Sequence, residues 1–174
     1  MPKLLILVLV VLLSVSYAQK PNFVFILADD MGWGDMGYNN GTASTPNLDA
    51  MSTSRNTVVF ERFYSGGPVC SPTRSTVLTG RNHNRECIYT ANAGGNTPDF
   101  AKPEKMALPT DVFTVAEAAK QAGYTTKHIG KWHLGDFKKL TGGNKKWPVS
   151  HPGMHGFDSW YSTERSAPSA TMNC

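Results

Sequence analysis

Phe23-Val24-Phe25-Ile26-Leu27 is an unbroken apolar run that stops at Ala28-Asp29-Asp30. No polar residue alternates within it, so a strand built from it must be covered on both faces, as the central strands of parallel sheets are. Pro21-Asn22 bounds the run on one side. On the other, Met31 to Thr42 holds four glycines and little periodicity, which puts Asp29 and Asp30 where a strand hands over to a loop. In open α/β sheets that edge is where ligands bind.

The rest of the chain repeats the alternation. Thr45 followed by Pro46 predicts a short helix fading near Arg55, and Val58-Val59-Phe60 reads as a second strand. Ser65-Gly66-Gly67-Pro68 breaks it, and Ser71-Pro72-Thr73-Arg74 opens a helix that Gly80 can close, with Cys70 at its start. Residues 91–110 form a long irregular connection. Thr114 and Glu117 have the spacing of a capping box, with Val115, Ala118, Ala119 and Ala122 on one side of the helix before Gly123. Thr125 to Ile129 resumes a strand that leaves through Gly130-Lys131-Trp132-His133-Leu134-Gly135, and Gly156 to Trp160 offers another. The expected class is α/β, a mostly parallel central sheet flanked by helices. With 174 residues there is room for one ordinary domain. The pattern stops at Cys174 with the sheet unfinished, so we expect an incomplete fold, the N-terminal portion of a longer protein.

Composition narrows the class further. Hydrophobic residues make up 40 % and charged residues 17 %, which excludes disordered, collagen-like and coiled-coil chains. The formal net charge of +4 is too mild and too dispersed for a nucleic-acid partner, and no nucleic-acid motif is present. Leu4 to Leu13 is apolar, but a membrane-spanning helix needs about 20 residues, so no transmembrane segment is expected. Lys3 before that run, and Ser16 and Ala18 after it, give the order of a secretory signal peptide. We expect cleavage after Ala18, leaving residues 19–174; the alternative is a buried N-terminal strand or helix. The secretory pathway, extracellular or lysosomal, follows, and Asn40-Gly41-Thr42 is a sequon for N-glycosylation on that route. Three cysteines, Cys70, Cys87 and Cys174, cannot all pair within the chain, so at least one has another fate.

Four places carry chemistry. Asp29 and Asp30 could share a hard divalent cation, because adjacent carboxylates repel unless a cation lies between them; two solvated loop acids are the alternative. A helix N-terminus favours thiolate, so Cys70 is a candidate nucleophile, against the alternatives of a disulfide to Cys87 or a buried structural thiol. Arg74, four residues on, returns to the same helical face, unless it is solvated surface. Lys131 and His133, two apart, point to one side of an extended chain, as would any polar strand face. Together these groups suit chemistry on a small anion.

The run Cys70-Ser71-Pro72-Thr73-Arg74, continuing to Gly80-Arg81, resembles the C-x-P-x-R signature of the sulfatase family. Gly130 to Gly135 resembles the family's second signature, Phe25 to Asp30 its opening strand and metal pair, and Thr45 to Asp49 its first helix. The four matches occur in the family's order and cover most of residues 22–160.

The resemblance implies an alkaline-phosphatase-like fold and a specific chemistry. Cys70 would be oxidised to formylglycine, with Pro72 and Arg74 read by the formylglycine-generating enzyme. The hydrated aldehyde would attack the sulfur of a sulfate ester with one hydroxyl, release the alcohol, and expel sulfate with the other. Asp29, Asp30 and the modified Cys70 would bind Ca²⁺. Arg74 would steady the modified side chain, Lys131 would bind a sulfate oxygen, and His133 would hydrogen-bond the diol and assist proton transfer. The partner implied is a sulfated small molecule or glycan. The family's remaining ligands, an Asp-Asn pair and a further His and Lys, come from a later part of its sequence, so the chain by itself is expected to be inactive. Ser162 matches a further polar sulfate contact too loosely to be assigned one.

Two other readings compete. A phosphatase or phosphodiesterase of the same superfamily would carry Ser or Thr where Cys70 stands. A non-catalytic secreted protein or truncated pseudoenzyme would at most bind anionic glycans. Lys138, Lys139, Lys145 and Lys146 could attract such glycans, but a solvated loop is the preferred account of them.

Overall fold

The computed structural model describes residues 20–91, 107–135, 137, 149–163 and 170–173. The expected signal peptide with its expected cleavage site, the four lysines from 138 to 146, Cys174 and most of the irregular connection lie outside the described residues. The chain divides into two units, Met1–Met31 and Gly32–Cys174. Each is described by itself.

In the first unit, Phe23 to Leu27 belongs to no strand, and Phe25 and Ile26 are 71 % and 87 % exposed. This corrects the central strand expected there. An apolar run states a demand for cover, but a strand forms only when a second backbone offers a ladder, and none of the described strands pairs with this one. The run ends in a bend at Asp29 and Asp30, where Asp30 takes φ 55°. Both aspartates are exposed.

The second unit opens with two 3-10 turns, Trp33–Asp35 and Gly37–Asn39, followed by helix α1, Pro46–Ser52. Proline at the first helical position presets the helical φ. Asp49 ties the turns to α1 by accepting from Thr45 Oγ1 at 2.8 Å and from the Tyr38 amide at 2.9 Å. Asn40 follows the second turn at φ 63°, exposed to solvent. Val58 to Phe60 forms no strand, a second correction with the same cause.

Helix α2 spans Cys70–Thr79 and stops at Gly80, whose φ of 65° closes a left-handed cap with its amide on the Thr76 carbonyl. Helix α3, Val115–Gln121, begins with the expected capping box: Glu117 N donates to Thr114 Oγ1 at 3.2 Å, and Thr114 N donates to Glu117 Oε2 at 2.8 Å. Its buried residue is Ala116, whereas Val115 is exposed.

The sheet has the order β1-β2-β3, from Lys127–Lys131, Ser159–Thr163 and Ala170–Asn173. β1 runs parallel to β2 with Lys127 opposite Ser159, and β3 returns antiparallel with Asn173 opposite Trp160. Both predicted strands here start two to three residues later than expected. The helices and a parallel pair make the class α/β, as a partial fold. Ile88, Leu108, Trp132, Leu134, Phe137 and Trp160 form the core, with Leu78 and Phe157 packed on it. Two of these are the apolar residues that alternate with the polar ones in the Lys131 to Leu134 segment, so the core holds that segment in place. Among the described residues, no helix is long and apolar enough to cross a membrane.

Candidate active site

The first turn of α2 meets the end of β1. Cys70 is the first residue of α2 and is half-buried, and Lys131 is the last residue of β1. Lys131 Nζ lies 3.4 Å from Cys70 Sγ. One helical turn on, Arg74 Nη1 donates to the Lys131 carbonyl at 2.5 Å, a charge-assisted bond that fixes the strand end to the helix. Between them, the fully buried Ser71 donates from Oγ to the His133 carbonyl at 2.6 Å. Four of the residues singled out from sequence, Cys70, Arg74, Lys131 and His133, are therefore gathered by two backbone segments.

His133 departs from the expected geometry. It takes φ 55°, so the extended alternation that would set Lys131 and His133 on one side ends before it, and the residue is 5 % exposed. Gly135, at φ 148°, follows where the chain passes Ser150 too closely for any Cβ. The segment is thus a tight loop and not a continued strand. Cys70 and Cys87 do not form a disulfide, which removes one alternative for Cys70.

Within β1 stands a histidine, His128, that the sequence reading passed over. His128 Nδ1 is 2.6 Å from Ser162 Oγ. Burial first, and then the Arg74 charge, lower its pKa to about 4. Ser162 is completely buried, which rules out a surface contact to sulfate for it in this structure. The signal available in the sequence was a histidine at a strand position otherwise suited to an aliphatic residue. A second pair, Ser150 Oγ and His155 Nε2 at 2.8 Å, is fully buried, whereas His128 is half-buried. Burial is the main cause that takes His155 to about 4, and Thr114 Oγ1 donates to its carbonyl at 2.8 Å. This pair braces the loop before β2 against α3.

Asp29 and Asp30 belong to the first unit, and the other candidates to the second. The donor chemistry of the pair suits a hard cation: two adjacent carboxylates offer oxygen, which Ca²⁺ prefers. Sulfur at Cys70 does not suit Ca²⁺, and only an oxygen in its place would.

The sulfatase family model matches residues 21–173. The chain is 40 % identical to N-acetylgalactosamine-6-sulfatase of Mus musculus over 161 residues, covering 92 % of this chain and 29 % of the relative. It is 42 % identical to arylsulfatase G of Homo sapiens over 144 residues, covering 82 % of this chain and 24 % of the relative. Among solved structures, one described under glycosaminoglycan metabolism by Bacteroides thetaiotaomicron matches with TM-score 0.67 and 29 % identity, covering 90 % of this chain and 32 % of that one. The crystal structure of Ps i-CgsB matches with TM-score 0.62 and 31 % identity, covering 85 % of this chain and 29 % of that one. The chain therefore spans less than a third of the length of these relatives, and its fold class is that of the alkaline-phosphatase-like sulfatase structures. With the family model covering nearly the whole sequence and the C-x-P-x-R run starting a helix against the Gly-Lys-Trp-His-Leu-Gly loop, the chain belongs to the sulfatase family.

Proposed function

We propose that this chain is the N-terminal portion of the catalytic domain of a sulfuric ester hydrolase in which Cys70 is converted to formylglycine. The observation that carries the reading is the Lys131 ammonium 3.4 Å from Cys70 Sγ, a cation set beside the atom where a sulfate group would react. The chemistry supplied by formylglycine is that of a geminal diol, with one hydroxyl to accept the sulfuryl group and another to release sulfate.

The chain's own residues do the rest. Lys131 binds a sulfate oxygen and absorbs its charge. Arg74 anchors Lys131 through its carbonyl, and so limits how far the ammonium can move from position 70. His133, whose backbone is pinned by Ser71, hydrogen-bonds the diol and moves a proton at the reacting oxygens. Asp29 and Asp30 would hold a divalent cation, Ca²⁺ by their hard oxygens, and that ion would supply positive charge to offset the charge of the sulfate. Two aspartates fall short of the about six to eight oxygens Ca²⁺ takes, so further ligands would complete the site.

The order of the N-terminal residues supports synthesis into the secretory pathway, extracellular or lysosomal, where the modifying enzyme meets Cys70. Residues 1–18 act as the signal peptide, and the exposed Asn40 is its N-glycosylation acceptor. The substrate is a sulfated small molecule or glycan. Mass spectrometry of the Cys70 peptide from protein exported by a eukaryotic cell tests the reading. Formylglycine lowers the peptide mass by about 18 Da relative to the thiol. A peptide that keeps its sulfur refutes catalysis and leaves the non-catalytic, anion-binding reading.

A further inference from the structure

His133 keeps φ 55°, a conformation that a non-glycine residue holds only where its surroundings impose it. Ser150 grips the segment on both sides of it. Before His133, the Trp132 indole donates from Nε1 to the Ser150 carbonyl at 2.9 Å; after it, Gly135 passes Ser150 too closely for any Cβ. Ser150 is itself held by His155, whose Nε2 lies 2.8 Å from its Oγ. The His155 ring also packs on the Trp132 ring, with centroids 5.4 Å apart and planes tilted by 35°. Trp132, Ser150 and His155 therefore close a triangle, two sides of it hydrogen bonds and the third a ring contact, and all three residues are fully buried. The triangle is grounded outside the loop. Thr114, the N-cap of α3, donates from Oγ1 to the His155 carbonyl at 2.8 Å, and the Trp132 amide donates to the Thr163 carbonyl of β2 at 2.9 Å. An aliphatic side chain at 155 would fill the same space and deprive the buried Ser150 hydroxyl of its imidazole.

We propose that His155 is a positioning residue for the candidate active site: through Ser150 and Trp132 it holds residues 132–135 in the conformation that keeps His133 left-handed beside the first turn of α2. Lys131 and His133 flank Trp132 in the chain, so an indole free to change rotamer frees the backbone on both sides of it. His133 then relaxes toward an extended φ, and its side chain leaves its place relative to Lys131. Helix α2 binds the segment through Arg74 on the Lys131 carbonyl and Ser71 on the His133 carbonyl; the triangle ties the same segment to α3 and β2. The consequence for hydrolysis rests on the function proposed above; the consequence for the His133 backbone does not.

The experiment has one arm for each. In isotope-labelled protein of the full sequence, the NMR scalar couplings of His133 read its φ, and exchange of the Trp132 Nε1 proton with solvent reads the bond to Ser150. His155→Leu keeps the bulk of the ring without its nitrogens, and Ser150→Ala deletes the same hydrogen bond while keeping the Cβ against Gly135. In each, the couplings should become those of an extended residue, and Trp132 Nε1–H should exchange at least about tenfold faster. His155→Gln, whose amide reaches the Nε2 position, should keep the parent values. Near-UV circular dichroism establishes that each variant is folded, and Ser150→Ala carries the comparison should His155→Leu fail to fold. In the formylglycine-containing hydrolysing enzyme, Ser150→Ala and His155→Leu should lower kcat about tenfold with KM within about twofold, and His155→Gln should restore kcat. A His133 that stays left-handed in the folded variants lacking the Ser150–His155 bond overturns the proposal, and so does an equal loss of kcat in His155→Gln. If no form hydrolyses a sulfate ester while the His133 backbone still follows His155, the positioning role stands and the hydrolase reading falls.

Discussion

Lys131 Nζ approaches Cys70 Sγ to 3.4 Å although 61 positions separate the two residues in sequence. Two further contacts join the same segments: Ser71 to the His133 carbonyl and Arg74 to the Lys131 carbonyl. The first turn of α2 is thereby stitched to residues 131–133 at three points, two of them through backbone carbonyls that tolerate side-chain substitution at the strand.

Removing the ammonium should abolish its contribution without disturbing the stitch. In the formylglycine-containing enzyme, Lys131→Met should reduce kcat/KM for an aryl sulfate by about 10²- to 10³-fold, the range for loss of one charge-stabilising group. Conversion of Cys70 should persist. Activity within about twofold of the parent would remove Lys131 from the mechanism.

Ser71→Ala deletes a fully buried donor and leaves the His133 carbonyl to find another. Such a loss destabilises by about 1–3 kcal/mol. The urea midpoint should fall accordingly, and kcat should fall with it because His133 loses its backbone anchor. A drop in stability with kcat untouched would show that the anchor serves folding alone.

Acid should weaken the fold. The folded pKa values of His128 and His155, each about 4, lie below the ordinary 6.5, mainly through burial. The unfolded chain therefore takes up protons first. Stability is fully present above about pH 6.5 and declines as pH falls toward about 4, by at most about 3 kcal/mol for each ring. Asp158 is held at about 2, first by Lys120 and then by hydrogen bonds from Thr126, against an ordinary 3.8. Its contribution is present above 3.8 and is lost as pH falls toward 2, so it extends the acid loss. Urea midpoints measured between about pH 7 and 4 should slope downward, with a shallower slope in His128→Asn. A flat series would contradict the burial of these rings.

Calcium binding is a separate prediction. Calorimetric titration of Ca²⁺ should give at least about tenfold weaker binding when Asp29 and Asp30 are both changed to Asn, since each change removes a negative charge and one of two ligand oxygens. Equal affinity in parent and variant would take the pair out of the metal site.

The helix ends were legible in the sequence because capping is a matter of four or five consecutive residues: Thr114 with Glu117, Pro46 after Thr45, and Gly80 after Thr79 all behave as read. Phe23 to Leu27 and Val58 to Phe60 were misread as strands for the complementary reason. Their apolar character is local, but a ladder partner is not. Lys131 and His133 do come together beside the first turn of α2, yet their shared extended face was not realised, because the left-handed φ at His133 ends the extended alternation.

The sequence by itself determined the class of the chain, the starts of its helices, the Gly80 stop of α2 and the cysteine at the head of α2, all of which depend on near neighbours and on periodicity. Only the tertiary structure decided that α2 opens against residues 131–133, and that His128 of β1 pairs with Ser162 of β2. Those contacts cross 34 to 62 positions and arise from how the aromatic core packs β1 between α2 and β2, which no local pattern encodes.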